Sequence, residues 1–191
     1  MAIIIVLILV IAVIGTIFYT QKSTQPTETI PSQSSALETT QFSTYNNPGD
    51  GIRIKYPKDW TKQEKIMGMN VIFSSPLESD SDTFQENVNV IVQDLSAQPM
   101  TLDEYTKLSL EQVKQIVTDA SIPYSSATTL DGNSANRIIY TGRVGIYNIK
   151  WMQIYTIKDN TAYILTYTAE TDKYNDFLDT AQEMINSFEI I

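Results

Sequence analysis

Hydrophobic residues are distributed along this chain in three regimes. From Ala2 to Tyr19 they follow one another with no intervening charge (AIIIVLILVIAVIGTIFY). A helix of that length spans about 27 Å, close to the ~30 Å hydrocarbon core of a bilayer. No basic segment leads into the run, it is longer than the usual ~7–15 residues of a signal peptide, and no small-residue cleavage pattern follows it. Phe18, Tyr19 and Lys22 stand where interfacial anchors belong. Residues 2–19 are therefore predicted to be a transmembrane anchor. Residues 20–41 form the second regime, a Ser/Thr/Gln/Pro tract without hydrophobic period and interrupted by Pro26 and Pro31. Such a tract cannot bury enough apolar surface to offset its ordering entropy, so a disordered stalk is expected.

The third regime, residues 42–191, alternates between two periods. Ile52, Ile54 and Tyr56 fall on one face of a strand that ends at Pro57, and Trp60 follows it. Residues 69–76 and 87–95 read as further strands, the second with Val88, Val90 and Val92 on one side. Thr101 then opens a helix as its N-cap, with Glu104 as capping-box partner and Met100 and Tyr105 as hydrophobic staple. Leu108, Val113, Ile116 and Val117 continue its apolar face towards about Asp119. A run of three long strands is expected after Pro123, turning at Asp131-Gly132 and at Lys158-Asp159-Asn160. In the central one Ile149, Trp151, Tyr155 and Ile157 point one way, Met152 and Ile154 the other. A strand apolar on both sides must be covered on both sides. A final helix, with Tyr174, Phe177, Leu178, Ala181, Ile185 and Phe188 on one face and Asp172, Asp176, Asp179 and Glu183 outside it, supplies one cover. The predicted class is α+β, a three-layer α/β/α sandwich around a central antiparallel sheet.

Composition narrows the function more than it names it. A net charge of −9 with scattered Lys and Arg argues against a nucleic-acid partner. The chain has neither Cys nor His. Disulfides, thiol nucleophiles, catalytic triads and histidine-metal centres are thereby excluded, and no phosphate- or dinucleotide-binding glycine motif is present. A non-enzymatic protein is expected.

The most site-like stretch is the loop of residues 76–87, where Glu78, Asp80, Asp82 and Glu86 fall close together. Oxygen-only ligands suit hard cations, and Ca²⁺ takes about 6–8 of them. The glycine and glutamate spacing of a helix-loop-helix calcium site is missing, and a solvated acidic loop is the alternative reading. Trp60 and Trp151 are expected in the core. Tyr140, Tyr147, Tyr155, Tyr163 and Tyr167 are expected to pack on the sheet with hydroxyls at its rim.

Several pieces recur in one order: YP-x-x-W at residues 56–60, V-x-F-x-x-P at 71–76, and E-N-V-x-V at 86–90. A Thr-led helix, an Asp-Gly hairpin carrying Ile139-Tyr140, the hairpin WMQIYTIKDNTAYILTYTA and a helix ending in Ser187-Phe188 follow. In this order residues 42–191 resemble the PsbP family, named for an extrinsic subunit of the photosystem II oxygen-evolving complex. The resemblance implies a central antiparallel sheet flanked by helices. It also implies an accessory role at a membrane protein complex, in photosynthetic members with retention of Ca²⁺. Together with the predicted anchor, it leads us to expect a single-pass cell-membrane protein whose domain lies outside the cytoplasm and binds a protein partner. An extracytoplasmic calcium- or small-ligand-binding module is the alternative.

Overall fold

Period-two patterning yields most of the strands. The computed structural model describes residues 41–191; the predicted anchor and, apart from Gln41, the predicted stalk lie outside them. In chain order the elements are β1 (Phe42–Asn47), β2 (Ile52–Pro57), β3 (Thr61–Ile66), β4 (Met69–Ser74), β5 (Asn87–Asp94), α1 (Leu102–Ile116), β6 (Thr118–Leu130), β7 (Asn133–Val144), β8 (Tyr147–Lys158), β9 (Thr161–Glu170), α2 (Tyr174–Asn186) and β10 (Glu189–Ile190). No helix among the described residues is long and apolar enough to cross a membrane.

Seven strands form one sheet in the order β3-β4-β5-β9-β8-β7-β6, and β1-β2-β10 form a second. Every paired neighbour is antiparallel. The hairpins turn as expected, with positive φ at Asp131 and Gly132 and again at Asp159 and Asn160. That pair of left-handed residues matches the twist of the strands they join.

The core is split by the large sheet. On one face Val71, Phe73, Val88, Val90, Met152, Leu165 and Tyr167 pack with Ile52, Ile54, Ala181, Met184 and Ile185. On the other, Trp151, Tyr155, Ile164, Ile138 and Tyr140 pack with Tyr105 and Val113 of α1. The three layers are thus α1, the seven-stranded sheet, and a mixed layer of α2 with the small sheet. The sequence reading expected a purely helical second cover. Its β1, β3 and β10 were not foreseen because they carry little pattern: β3 (TKQEKI) is polar up to its last residue, Ile66, and β10 has two residues.

Other expectations need correction. Four long strands, not three, follow α1. The first of them, β6, begins before Pro123 and runs through it, which an edge strand tolerates because its outward N–H groups need no partner. The helix α1 ends at Ile116, short of Asp119, and its buried positions are Tyr105, Ser109 and Val113. Ile116 is exposed. The capping box is formed: Thr101 Oγ1 accepts from Glu104 N at 3.2 Å, and Glu104 Oε2 accepts from Thr101 N at 2.8 Å.

The corner after β2 closes the mixed layer. Pro57 ends the strand, Trp60 N donates to Pro57 O at 3.1 Å, and the indole turns inward against Phe177 with ring centroids 6.3 Å apart. Trp60 is 6% exposed. Trp60→Ala should lower unfolding stability by roughly 3–5 kcal/mol, as buried Trp truncations do, measured by denaturant titration. A second test concerns Gly142, where an added Cβ would lie 2.1 Å from Val117 Cγ1 and 2.9 Å from Thr118 O. Gly142→Ala must push the start of β6 off β7 and should cost about 1–3 kcal/mol; an unchanged midpoint would contradict the close approach.

Candidate functional site

The four carboxylates singled out in the sequence lie between β4 and β5, and the fold gives each a different task. Asp82 holds the loop itself: its Oδ2 accepts from Glu78 N at 2.9 Å and its Oδ1 from Phe84 N at 3.0 Å. Glu78 pairs with Lys173, just before α2, at 2.8 Å. Both partners are about one-third exposed, so the pair contributes only about 0–1 kcal/mol. Asp80 is exposed. Glu86 is turned inward and 1% exposed. Among the described residues no group of three or more carboxylates comes together as metal ligands. Glu78, Asp80, Asp82 and Glu86 are brought into one loop but not around one centre.

Hydrogen bonds and aromatic packing fix this loop on the sheet end. Ser75 N donates to Glu86 O at 2.8 Å, and Gln85 Nε2 donates to Ser75 O. Phe84 is buried against Tyr147, ring centroids 5.3 Å apart, and Thr83 Oγ1 shares a hydrogen bond with Tyr147 Oη at 2.9 Å. Tyr147 follows the β7–β8 turn, whose tip is Ile146, 86% exposed. Leu77 in the loop is also exposed. Two apolar tips therefore project from an end rich in carboxylates. The chain enters the domain here as well. Gln41 O accepts from Lys58 N at 2.8 Å, just before Thr61, which pairs with Ser74 at the foot of the loop.

The electrostatics of this end centre on Glu86. Burial raises its pKa to about 7, and the charges of Glu78 and Asp82 push the same way. Backbone N–H groups of Glu86 and Glu170 oppose the shift, and Oε2 has no hydrogen-bond partner among the described residues. Glu170 is also raised, first by burial and then by Asp172 and Asp82. Beneath them, burial pushes the Tyr167 hydroxyl far up, with Glu86 adding to the effect, and Tyr167 Oη donates to Tyr174 O at 2.8 Å. Of the five tyrosines expected on the sheet, Tyr140, Tyr155 and Tyr167 are buried, while Tyr147 and Tyr163 are only partly so.

Sequence reading missed Glu170 and Lys173, which reach the loop only through the sheet register, and it missed Arg137. A signal for Arg137 was present: it stands alone as a charge among the inner residues of β7 (NSANRIIYTG).

The raised pKa of Glu86 has a signed consequence. The folded protein holds this proton more tightly than the unfolded chain, so the contribution is complete below pH 4.5 and is lost as pH rises to about 7. Glu86→Gln should therefore stabilise the protein at pH 8 by about 1–3 kcal/mol relative to the parent. The difference should shrink towards zero at pH 4.5. A pH-independent difference in denaturation midpoints would contradict the assignment.

Comparison with known proteins agrees with this architecture. The PsbP from the cyanobacterium Synechocystis sp. PCC 6803 (CyanoP) superposes with a TM-score of 0.59 at 16% identity, covering 84% of this chain and 98% of that one. LpqN, involved in cell envelope biogenesis of Mycobacterium tuberculosis, superposes with a TM-score of 0.57 at 14% identity, covering 78% and 89%. A protein of unknown function from Pseudomonas aeruginosa gives 0.55 at 12% identity, covering 76% and 94%. At these identities the likeness is one of fold. A search of curated protein sequences returns no match. The family profile described as PsbP-like protein matches residues 1–190. The chain belongs to the PsbP-like protein family.

Proposed function

We propose that this protein is a non-enzymatic accessory module, held at the cell membrane by residues 2–19, whose domain binds and stabilises a membrane protein complex outside the cytoplasm. Membership of the PsbP-like family supports an accessory role. The printed association of LpqN with envelope biogenesis fits a function at the cell surface.

One observation carries the reading to a place on the molecule. Ile146 projects at 86% exposure next to Tyr147, which packs on the loop that carries exposed Leu77 with Glu78, Asp80 and Asp82. A side chain as large as Ile gains nothing from water and gains roughly 1.5–3 kcal/mol when fully buried by a partner. The carboxylates of that loop favour a partner surface with Lys or Arg and repel an acidic one. Gln41 enters at the same end, so the tract that joins it to residues 2–19 would tether this end to the bilayer at a distance set by that tract's length.

Fractionation of source membranes tests both halves. The native protein should remain in the pellet after an alkaline carbonate wash, and a chain starting at Gln41 should be released. A native protein found in the soluble fraction would remove the anchor. Cross-linking and purification from detergent should recover a defined membrane partner, and Ile146→Asp should reduce its recovery at least tenfold without lowering the thermal midpoint. Undiminished recovery would move the interface away from this end.

A further inference from the structure

At the opposite end of the sheet a groove lies between the β6–β7 hairpin and the last turns of α2. It exists because α2 packs over β9 and β2 and leaves the inner faces of β6 and β7 partly uncovered. Its volume is about 380 Å³, within the ~300–1,000 Å³ typical of small-molecule sites. Met152, Ile154 and Ile185 form an apolar floor, and Thr128, Gln182 and Asn186 offer polar groups around it.

Arg137 is the feature that gives this groove a chemistry. It faces the floor in register, paired across the sheet with Ile154 on one side and Ser126 on the other. Its Nη2 donates to Tyr124 Oη at 3.0 Å and its guanidinium lies 5.2 Å from the Tyr124 ring centroid. Its Nε is buried and has no acceptor among the described residues. Each ion pair formed among those residues uses Arg53, Lys62, Arg143 or Lys173 as its cation, never Arg137. The groove's own carboxylate, Asp131, turns its Oδ2 to the Ile190 N–H at 3.0 Å. A half-buried guanidinium without a carboxylate is costly in the empty protein and an attractive partner for an incoming anion.

The surroundings also select the anion. The last turn of α2 carries no basic residue, and a helix C-terminus contributes about half a negative charge. With Asp131 in the same lining, Arg137 faces negative charge from two sides, and a dianionic phosphate is repelled more strongly than a monoanion. The planar fork of Arg matches a carboxylate in shape. We propose that this groove binds a monocarboxylate carried on an apolar body, the carboxylate pairing with Arg137 and the body lying on Met152, Ile154 and Ile185. The inference is independent of the partner surface at the acidic end and stands or falls without it.

The test uses full-length protein labelled at its methionine methyl groups, with 3-phenylpropionate as probe. Met152 reports the groove, while Met67 at the β3–β4 turn and Met100 beside α1 report the rest of the fold. Met152 should shift saturably with 3-phenylpropionate, and neither the neutral amide nor inorganic phosphate should produce that shift. Arg137→Gln should weaken the effect roughly tenfold or more, as loss of a charged hydrogen-bond partner does, with Met67 and Met100 unmoved. A short peptide ending in leucine, with a free or amidated terminus, distinguishes a chain terminus from a free acid as the source of the carboxylate. Saturable binding of either acid form, lost in Arg137→Gln, supports the proposal. No shift at Met152, an equal shift with the amide, or a shift that survives Arg137→Gln overturns it.

Discussion

Between Ile149 and Ala169 the β8–β9 hairpin presents Trp151, Tyr155 and Ile164 to one side and Met152, Leu165 and Tyr167 to the other. Each such side chain is worth about 1.5–3 kcal/mol only if water is excluded from it, so neither face of this pair can be left wet. The helix α1 answers on the first face. On the second, α2 alone is too narrow, and β1, β2 and β10 complete the cover with Ile52 and Ile54, both fully buried. Trp60 and Phe177 then join α2 to the chain leaving the small sheet. The cover ends before β6 and β7, and the groove containing Arg137 is the remainder.

The two ends of the sheet consequently differ in kind. At one end a loop fixed by Asp82 and Phe84 closes over β4 and β5, forcing Glu86 under it while Ile146 and Leu77 stay outside. Carboxylates gather there because the loop, the end of β9 and the start of α2 converge. At the other end a single cation stands beside an apolar floor. In a chain of net charge −9 a half-buried arginine outside every ion pair among the described residues is the contrast to the carboxylate-rich end.

What the sequence made legible follows from how strongly each element is patterned. The hairpin turns, the capping box at Thr101, the two-faced β8 and the apolar stripe of α2 were all readable, since each combines a period with a defined stop signal. Strand β5 shows the limit. Its alternation puts Val88, Val90 and Val92 on one side, yet Asn89 on the other is also fully buried beside Thr166, and Thr166 accepts from Gln153 Nε2 at 3.1 Å. Alternation reports which face is more apolar, not whether the other face is covered. Strand β3 was silent because an edge strand can pair its backbone on one side while all its side chains before Ile66 stay polar. Within the candidate site, Glu86 was readable as an acid but not as a buried one. Its burial depends on Glu170 and Tyr167, more than eighty residues away in sequence.

The central claim is that two-sided burial of β8 and β9 organises the other layers, and native-state hydrogen exchange tests it most directly. Amides of Trp151–Thr156 and Ile164–Thr168 should exchange only through global unfolding, with free energies equal to that from denaturant titration. Those of β3 and of the first half of β6, at the two edges, should exchange through smaller openings. If β8 and β9 instead opened at lower free energy than β1 and β2, the hairpin would be a passenger on the small sheet and the account would be contradicted.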